Sequence, residues 1–213
     1  MIKMLAERAR ALAAGGGRVV IGIAGIPGSG KSTAATALVR RLGAYGTPAA
    51  YLPMDGFHLS ASTLAAQGLA DRKGASDTFD VDGYVALLRQ VRSGLGMAQW
   101  APDYDRESHD VVPARMLIHP DARVVITEGN YLALPEGPWA AVRPLLAELW
   151  GIEASWEGAR ERLIERRVAT GRTLDEAVAW VDRVDAANAA LVAPTIDLVD
   201  VVVAFDEMHP ESV

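Results

Sequence analysis

One eight-residue segment restricts this chain more than anything else in it. Gly25 to Ser32 reads GIPGSGKS, a full match to GxxxxGK[ST], and it stands between two different hydrophobic periodicities. Before it, Val19 to Ala24 is a short β-rich run that reads as a buried strand. After it, Ala35, Leu38, Val39 and Leu42 recur at helical spacing over Ser32 to Leu42, with Gly43 and Gly46 as stops. A strand that passes through a glycine-rich turn into a helix is the geometry that cradles phosphate. Glycines at Gly25, Gly28 and Gly30 let the backbone curl closely around phosphate oxygens, aided by the helix N-terminus. Lys31 is then expected to reach the β and γ phosphates, and Ser32 to offer its hydroxyl to a magnesium ion bridging them. Ser29 and Thr33 complete the set of residues expected against the nucleotide. The expected ligand is ATP or GTP, with ATP and Mg2+ taken as the pair the site uses.

The rest of the chain repeats the alternation. Ala49 to Met54, Val124 to Thr127, Leu149 to Ala154 and Leu198 to Ala204 read as further strands. Helical patterns cover Ile2 to Leu12, Tyr84 to Arg92, Trp139 to Glu148, Trp156 to Val168 and Leu174 to Leu191. Strands alternating with helices predict an α/β fold with a five-stranded parallel sheet covered on both faces. Asp55 to Asp82 and Ala101 to Pro113 are polar and irregular, and are expected to form site loops. At 213 residues the chain is expected to make a single domain, 1–213.

Composition narrows the partners. With 21 Lys and Arg against 27 Asp and Glu the net charge is −6, which repels a phosphate backbone, so nucleic acid is not an expected partner. No cysteine is present, which removes disulfides, thiolate metal ligands and thiol nucleophiles. Lys3, Glu7, Arg8 and Arg10 interrupt the N-terminal segment where an export signal needs an apolar stretch. The apolar runs fall short of the roughly 20 residues that span a bilayer. The expectation is a cytoplasmic protein with no membrane partner, acting as a monomer or homodimer.

Ligands of such sheets bind beyond the carboxyl ends of the strands, which draws attention to Asp55 at the end of YLPMD and Glu128 at the end of VVITE. Phosphoryl transfer to an alcohol needs one group to orient the hydroxyl and accept its proton, and another carboxylate to help hold magnesium. Asp55, Lys31 and Glu128 are therefore the catalytic candidates, and Ser32 and Glu128 the metal candidates. The alternative is a turn or helix-capping aspartate for Asp55 and a structural turn acid for Glu128.

The phosphate loop together with PMDGFH, DRKGASDTFD and VITEGNYL resembles the kinase superfamily that contains bacterial pantothenate kinase, uridine kinase and phosphoribulokinase. Small fructose-transport-system-kinase-like and nucleoside-kinase-like members share the short length and the DGFH and EGNYL segments. The resemblance implies a P-loop NTPase fold with a five-stranded parallel core and a mobile arginine-bearing lid, Asp55 as catalytic base and Glu128 as the magnesium-associated acid. RKG at Arg72 to Gly74 is similar to pantothenate kinase, whereas Phe79-Asp80 and YDxxSH at Tyr104 to His109 are similar to uridine kinase. DGFH departs from the usual nucleoside-kinase segment, and the long N-terminal extension of bacterial pantothenate kinase is missing.

For the acceptor, Asp80 is expected to accept hydrogen bonds from hydroxyls, Arg72, Lys73 and His109 to contact a polar or anionic part, and Tyr104 to form an aromatic wall. For the lid, expected at about 160–185, Arg162, Arg166, Arg167 and Arg172 form a basic cluster, of which Arg166 and Arg172 are assigned to the nucleotide. Glu157, Glu161 and Glu165 are interleaved, so an ordinary salt-bridged surface helix is the competing reading. Asn188 is similar to a family position near the nucleotide or substrate. The function expected is an ATP-dependent transfer of phosphate to a hydroxyl of a nucleoside, pantothenate-like compound or sugar. The rival is a nucleotide-dependent switch, for which Asp71 to Gly74 supplies a DxxG match but neither Asn130 nor Asn188 starts the NKxD segment that reads guanine.

Overall fold

The computed structural model describes residues 1–105 and 110–205. Five strands form the central sheet: β1 (Val19–Ala24), β2 (Ala49–Pro53), β5 (Val124–Glu128), β6 (Glu148–Glu153) and β7 (Val201–Ala204). Their order is β2-β5-β1-β6-β7, and every pairing is parallel. The expected architecture is present. All five strands end on the same edge, and the register sets Glu128 of β5 beside Ile23 of β1 and Pro53 of β2.

Both faces of the sheet are buried, as continuous apolar runs require. One face, carrying Ile21, Ile23, Ile126 and Trp150, packs on α1 (Ile2–Ala13) and α2 (Lys31–Ala44) through Leu5, Ala9, Leu38 and Leu42. The other face, carrying Val20, Leu52, Val125 and Leu149, packs on α4 (Val81–Ser93) and on α7 (Ala186–Val192) through Tyr84, Leu88 and Ala189. Among the described residues no helix is long and apolar enough to cross a membrane.

Three stretches differ from the expectation. Most of Ala101 to Pro113 is strand: β3 (Gln99–Asp105) pairs antiparallel with β4 (Asp110–Ile118), apart from the central sheet, with a register shift between Ala101 and Asp103. Polar Asp and Tyr at alternate positions hid this two-stranded ribbon, which is mostly half-exposed. Trp139 to Glu148 forms two 3-10 turns, Pro138–Ala141 and Arg143–Leu145, because Pro144 has no N–H to continue a helix. Leu174 to Leu191 is broken between α6 (Leu174–Trp180) and α7 by a π-helical turn, Val181–Asp185. The short α3 (Ala61–Ala66) starts at a Ser60 cap, and α5 (Trp156–Ala169) follows β6.

The ribbon is tied to the core by one buried cation. Arg18, 4% exposed, donates from Nε to Ala122 O (2.7 Å), from Nη1 to Val91 O (3.2 Å) and Gln99 Oε1 (3.1 Å), and from Nη2 to His119 O and Pro120 O (both 2.9 Å). It thereby joins the end of α4, the start of β3 and the turn before β5. Arg18→Met keeps the apolar stem but leaves buried carbonyls without donors, and is expected to lower unfolding free energy by about 3 kcal/mol, read from urea denaturation.

Candidate active site

The loop between β1 and α2 is built on backbone conformations that side chains resist. Gly28 and Gly30 have φ of +77° and +86°. At Gly28 a Cβ would also lie 2.6 Å from Ala159 O on α5, so the absence of a side chain brings loop and helix together. Ser29 is fully buried and Thr33 exposed. Lys31, 7% exposed, folds back to donate from Nζ to Ile26 O at 2.8 Å. Burial pulls its pKa down to about 8, while Glu128 and Asp55 act in the opposite direction and Arg166 reinforces the fall.

Facing the loop are the two strand-end acids. Glu128 is buried, and its Oε1 accepts from Ser32 Oγ at 3.0 Å and from the Tyr51 hydroxyl at 2.6 Å. Burial raises the Glu128 pKa, Asp55 adds to the rise, and Lys31, Tyr51 and Ser32 oppose it. Burial, then the Glu128 charge, pushes the Tyr51 phenol far up, so it stays a proton donor. Asp55 sits in the turn Met54–Phe57 that follows β2, half-buried, where its charge acts on Lys31, Glu128, Tyr51 and His58. Asp55, Glu128, Lys31 and Ser32 are thus brought together, as their sequence positions predict.

Tyr51 and His58 were not among the sequence candidates. Tyr51 had a legible signal: with Ile126 and Glu128 it alternates onto the α2 side of the sheet. His58 follows Asp55 directly in DGFH. Its Nδ1 donates to Asp55 O at 2.8 Å, and its ring lies beside Phe79 (4.1 Å between centroids) and Tyr104 (4.7 Å). Burial lowers its pKa, which leaves the ring neutral at pH 7.

The expected acceptor residues divide. Tyr104 is in this aromatic group, and Lys73 Nζ lies 5.2 Å from its ring centroid. Arg72 is exposed and ion-paired with Asp77. Asp80 caps α4, its Oδ1 accepting from Gly83 N at 2.9 Å. His109 lies outside the described residues. Asn188 donates to Gly74 O at 3.1 Å, a carbonyl that Tyr131 also engages, while Trp139 Nε1 donates to Ser76 O at 2.9 Å. These three side chains fix the Gly74 to Ser76 segment.

The arginines of α5 also take distinct places. Arg162 Nε donates to Gly28 O of the phosphate loop at 2.9 Å, and its guanidinium lies 4.1 Å from the Phe205 ring centroid. Arg166 is exposed but close enough to act on Lys31. Arg167 pairs with Asp185 (2.9 Å) and Arg160 with Asp182 (2.6 Å), joining α5 to the π-helical turn. Arg172 is exposed at the turn between α5 and α6. Beside Gly25 and Ile26 an apolar cavity of about 370 Å³ is walled by Trp156, Ala186, Ala189 and Ala193.

Similar proteins fit this arrangement. YggC of Escherichia coli (strain K12) is 40% identical over 177 residues, covering 80% of this chain and 71% of that protein. A pantothenate kinase of Levilactobacillus brevis is 37% identical over 121 residues, 54% of this chain and 38% of the relative. Among solved structures, a candidate fructose transport system kinase from Silicibacter sp. TM1040 superposes with a TM-score of 0.88 at 31% identity, covering 95% of this chain and 98% of the other. Phosphoribulokinase from Rhodobacter spheroides, at 15% identity and a TM-score of 0.62 over 88% of this chain and 70% of its own, shares the fold. With the glycine loop, its lysine and the strand-end acids in place, and with residues 20–208 matching as a unit, the chain belongs to the Phosphoribulokinase / Uridine kinase family of P-loop kinases.

Proposed function

We propose that the protein transfers the γ-phosphate of ATP to a hydroxyl of a small polar metabolite, a nucleoside, pantothenate-like compound or sugar, with Asp55 as the base. The observation that carries this reading is the convergence of Asp55, Glu128 and Lys31 at the glycine loop, with the charges of Asp55 and Glu128 acting on Lys31 and those of Asp55 and Lys31 acting on Glu128. The attacking hydroxyl gives its proton to the Asp55 carboxylate as the acceptor oxygen bonds to the γ-phosphorus and the bond to the β-phosphate oxygen breaks. Lys31, with Gly25, Gly28, Ser29, Gly30, Ser32 and Thr33, holds the phosphates. Arg166 and Arg172 add positive charge from α5 and the turn beyond it. On the acceptor side Tyr104, beside the His58 ring, and Lys73, beside Tyr104, are the supported candidates, whereas Arg72 pairs with Asp77 and Asp80 caps α4.

The donor set suits magnesium. Ser32 and Glu128 supply hard oxygen ligands, and among the described residues no cluster of three acids or histidines could hold a cation alone. That combination matches a cation held jointly by the protein and the substrate phosphates. Bound there, it would neutralise charge on the phosphates.

Asp55→Asn is expected to lower kcat by roughly 10²–10⁴-fold while ATP affinity stays within about twofold, because the base acts on the acceptor. The assay is ADP release across pantothenate, nucleosides, pentoses, hexoses and their phosphates, with a no-acceptor control; unchanged turnover removes Asp55 from the reaction. Lys31→Ala should weaken ATP binding by about tenfold or more and slow transfer as well. Arg162→Ala, which releases Gly28 O from its charged donor, should cost about tenfold in ATP affinity by calorimetry with no change in acceptor preference.

A further inference from the structure

Tyr51 carries a hydroxyl to which the phosphoryl-transfer reading gives no task, and its geometry is specific. It sits on β2, at the edge of the sheet, with its ring against the helix-side core. Its hydroxyl reaches the end of the neighbouring strand and donates to Glu128 Oε1 at 2.6 Å, the same oxygen that takes the Ser32 hydroxyl at 3.0 Å. We propose that Tyr51 is a positioning residue that locks the Glu128 carboxylate so that Ser32 and Glu128 present their remaining lone pairs to the cation. The inference rests on the metal role assigned above to those two residues.

Two hydroxyl donors on one carboxylate oxygen use the acceptor directions of that oxygen and oppose rotation of the group. Oε2 is the oxygen that neither hydroxyl engages. Because Ser32 directs its proton at Glu128, the lone pairs of Ser32 Oγ point elsewhere, as a cation ligand requires. Neither neighbouring charge takes this role: Lys31 Nζ is directed to Ile26 O, and Asp55 brings a like charge. Groups that orient a metal ligand through hydrogen bonds act on metal affinity without touching the metal.

The test is ATP binding to the intact protein by calorimetry, across a Mg2+ series and in EDTA, for wild type, Tyr51→Phe and Tyr51→Met, with a thermal melt of each. Tyr51→Phe keeps the ring and removes the donor; its ATP affinity in EDTA should stay within about twofold of wild type, while the Mg2+ needed for half-maximal enhancement rises about tenfold. Tyr51→Met should show the same shift. An unaltered Mg2+ dependence in Tyr51→Phe, or a shift confined to Tyr51→Met, makes the ring's packing the relevant property and overturns the proposal. Failure of both variants to fold overturns it too, since Tyr51 would then be structural. Wild-type binding that Mg2+ does not enhance removes the metal role of Ser32 and Glu128 and this inference with it, a result separate from the others.

Discussion

A lysine ammonium 7% exposed cannot stand in a protein interior without nearby oxygen and negative charge, and that requirement organises this molecule's reactive edge. Lys31 obtains the Ile26 carbonyl from its own loop and the fields of Glu128 and Asp55 from two other strands. The parallel sheet makes this possible because β1, β2 and β5 all terminate on one side. The interaction runs both ways. Glu128 is buried beside another carboxylate, burial and that charge both raise its pKa, and Lys31 is the first of the influences that oppose the rise. On the proposed reading a triphosphate would add negative charge to a site already holding two acids near one lysine, charge that an additional cation and the α5 arginines would offset.

The position of Asp55 depends on a part of the fold outside the central sheet. A side chain at Gly56 would run into the Pro102 carbonyl of β3, so the turn bearing Asp55 rests directly on the ribbon. Asp80 N donates to Phe57 O at 2.8 Å, and a β-bridge joins His58 to Phe79. Asp55 is therefore held from two sides, by the ribbon and by the strand-like entry to α4. Arg18 fixes the far end of that ribbon, which links a buried cation remote from the glycine loop to the placement of the Asp55 turn.

What could be read beforehand was whatever chemistry writes locally. The glycine loop, Lys31, the two acids and all five sheet strands lie in contiguous segments whose pattern and motif agree, and their positions follow from β-run, turn and helix. The ribbon could not be read in the same way. Its Asp and Tyr residues look like loop composition, and the pairing of β3 with β4 depends on a partner strand and on anchors such as Arg18, neither of which a local window contains. Pro144 marked the failure of the Trp139 to Glu148 helix in advance. The π-helical turn carried no comparable mark. Asp80 was legible as polar and next to a helix start, and its cap to Gly83 shows the helix using the side chain.

The α5 arginines show why spacing along a helix does not by itself decide a charge's role. Glu157, Glu161 and Glu165 are suitably spaced for pairing within α5, yet Arg160 and Arg167 take Asp182 and Asp185 from the π-helical turn. The extra residue in that turn belongs to the same short segment as both aspartates, so the hairpin is closed by ion pairs at its bulge. Arg167 and Asp185 are the more sheltered pair, and burial raises the Asp185 pKa against the pull of Arg167. That use of charge inside the hairpin separates two arginines from the rest. Arg162, joined to Gly28 O and stacked on Phe205, connects the same helix to the phosphate loop and to the end of β7. A displacement of α5 therefore acts on the Gly28 carbonyl first, and the glycine loop is mechanically continuous with the helix that carries Arg162 and Arg166.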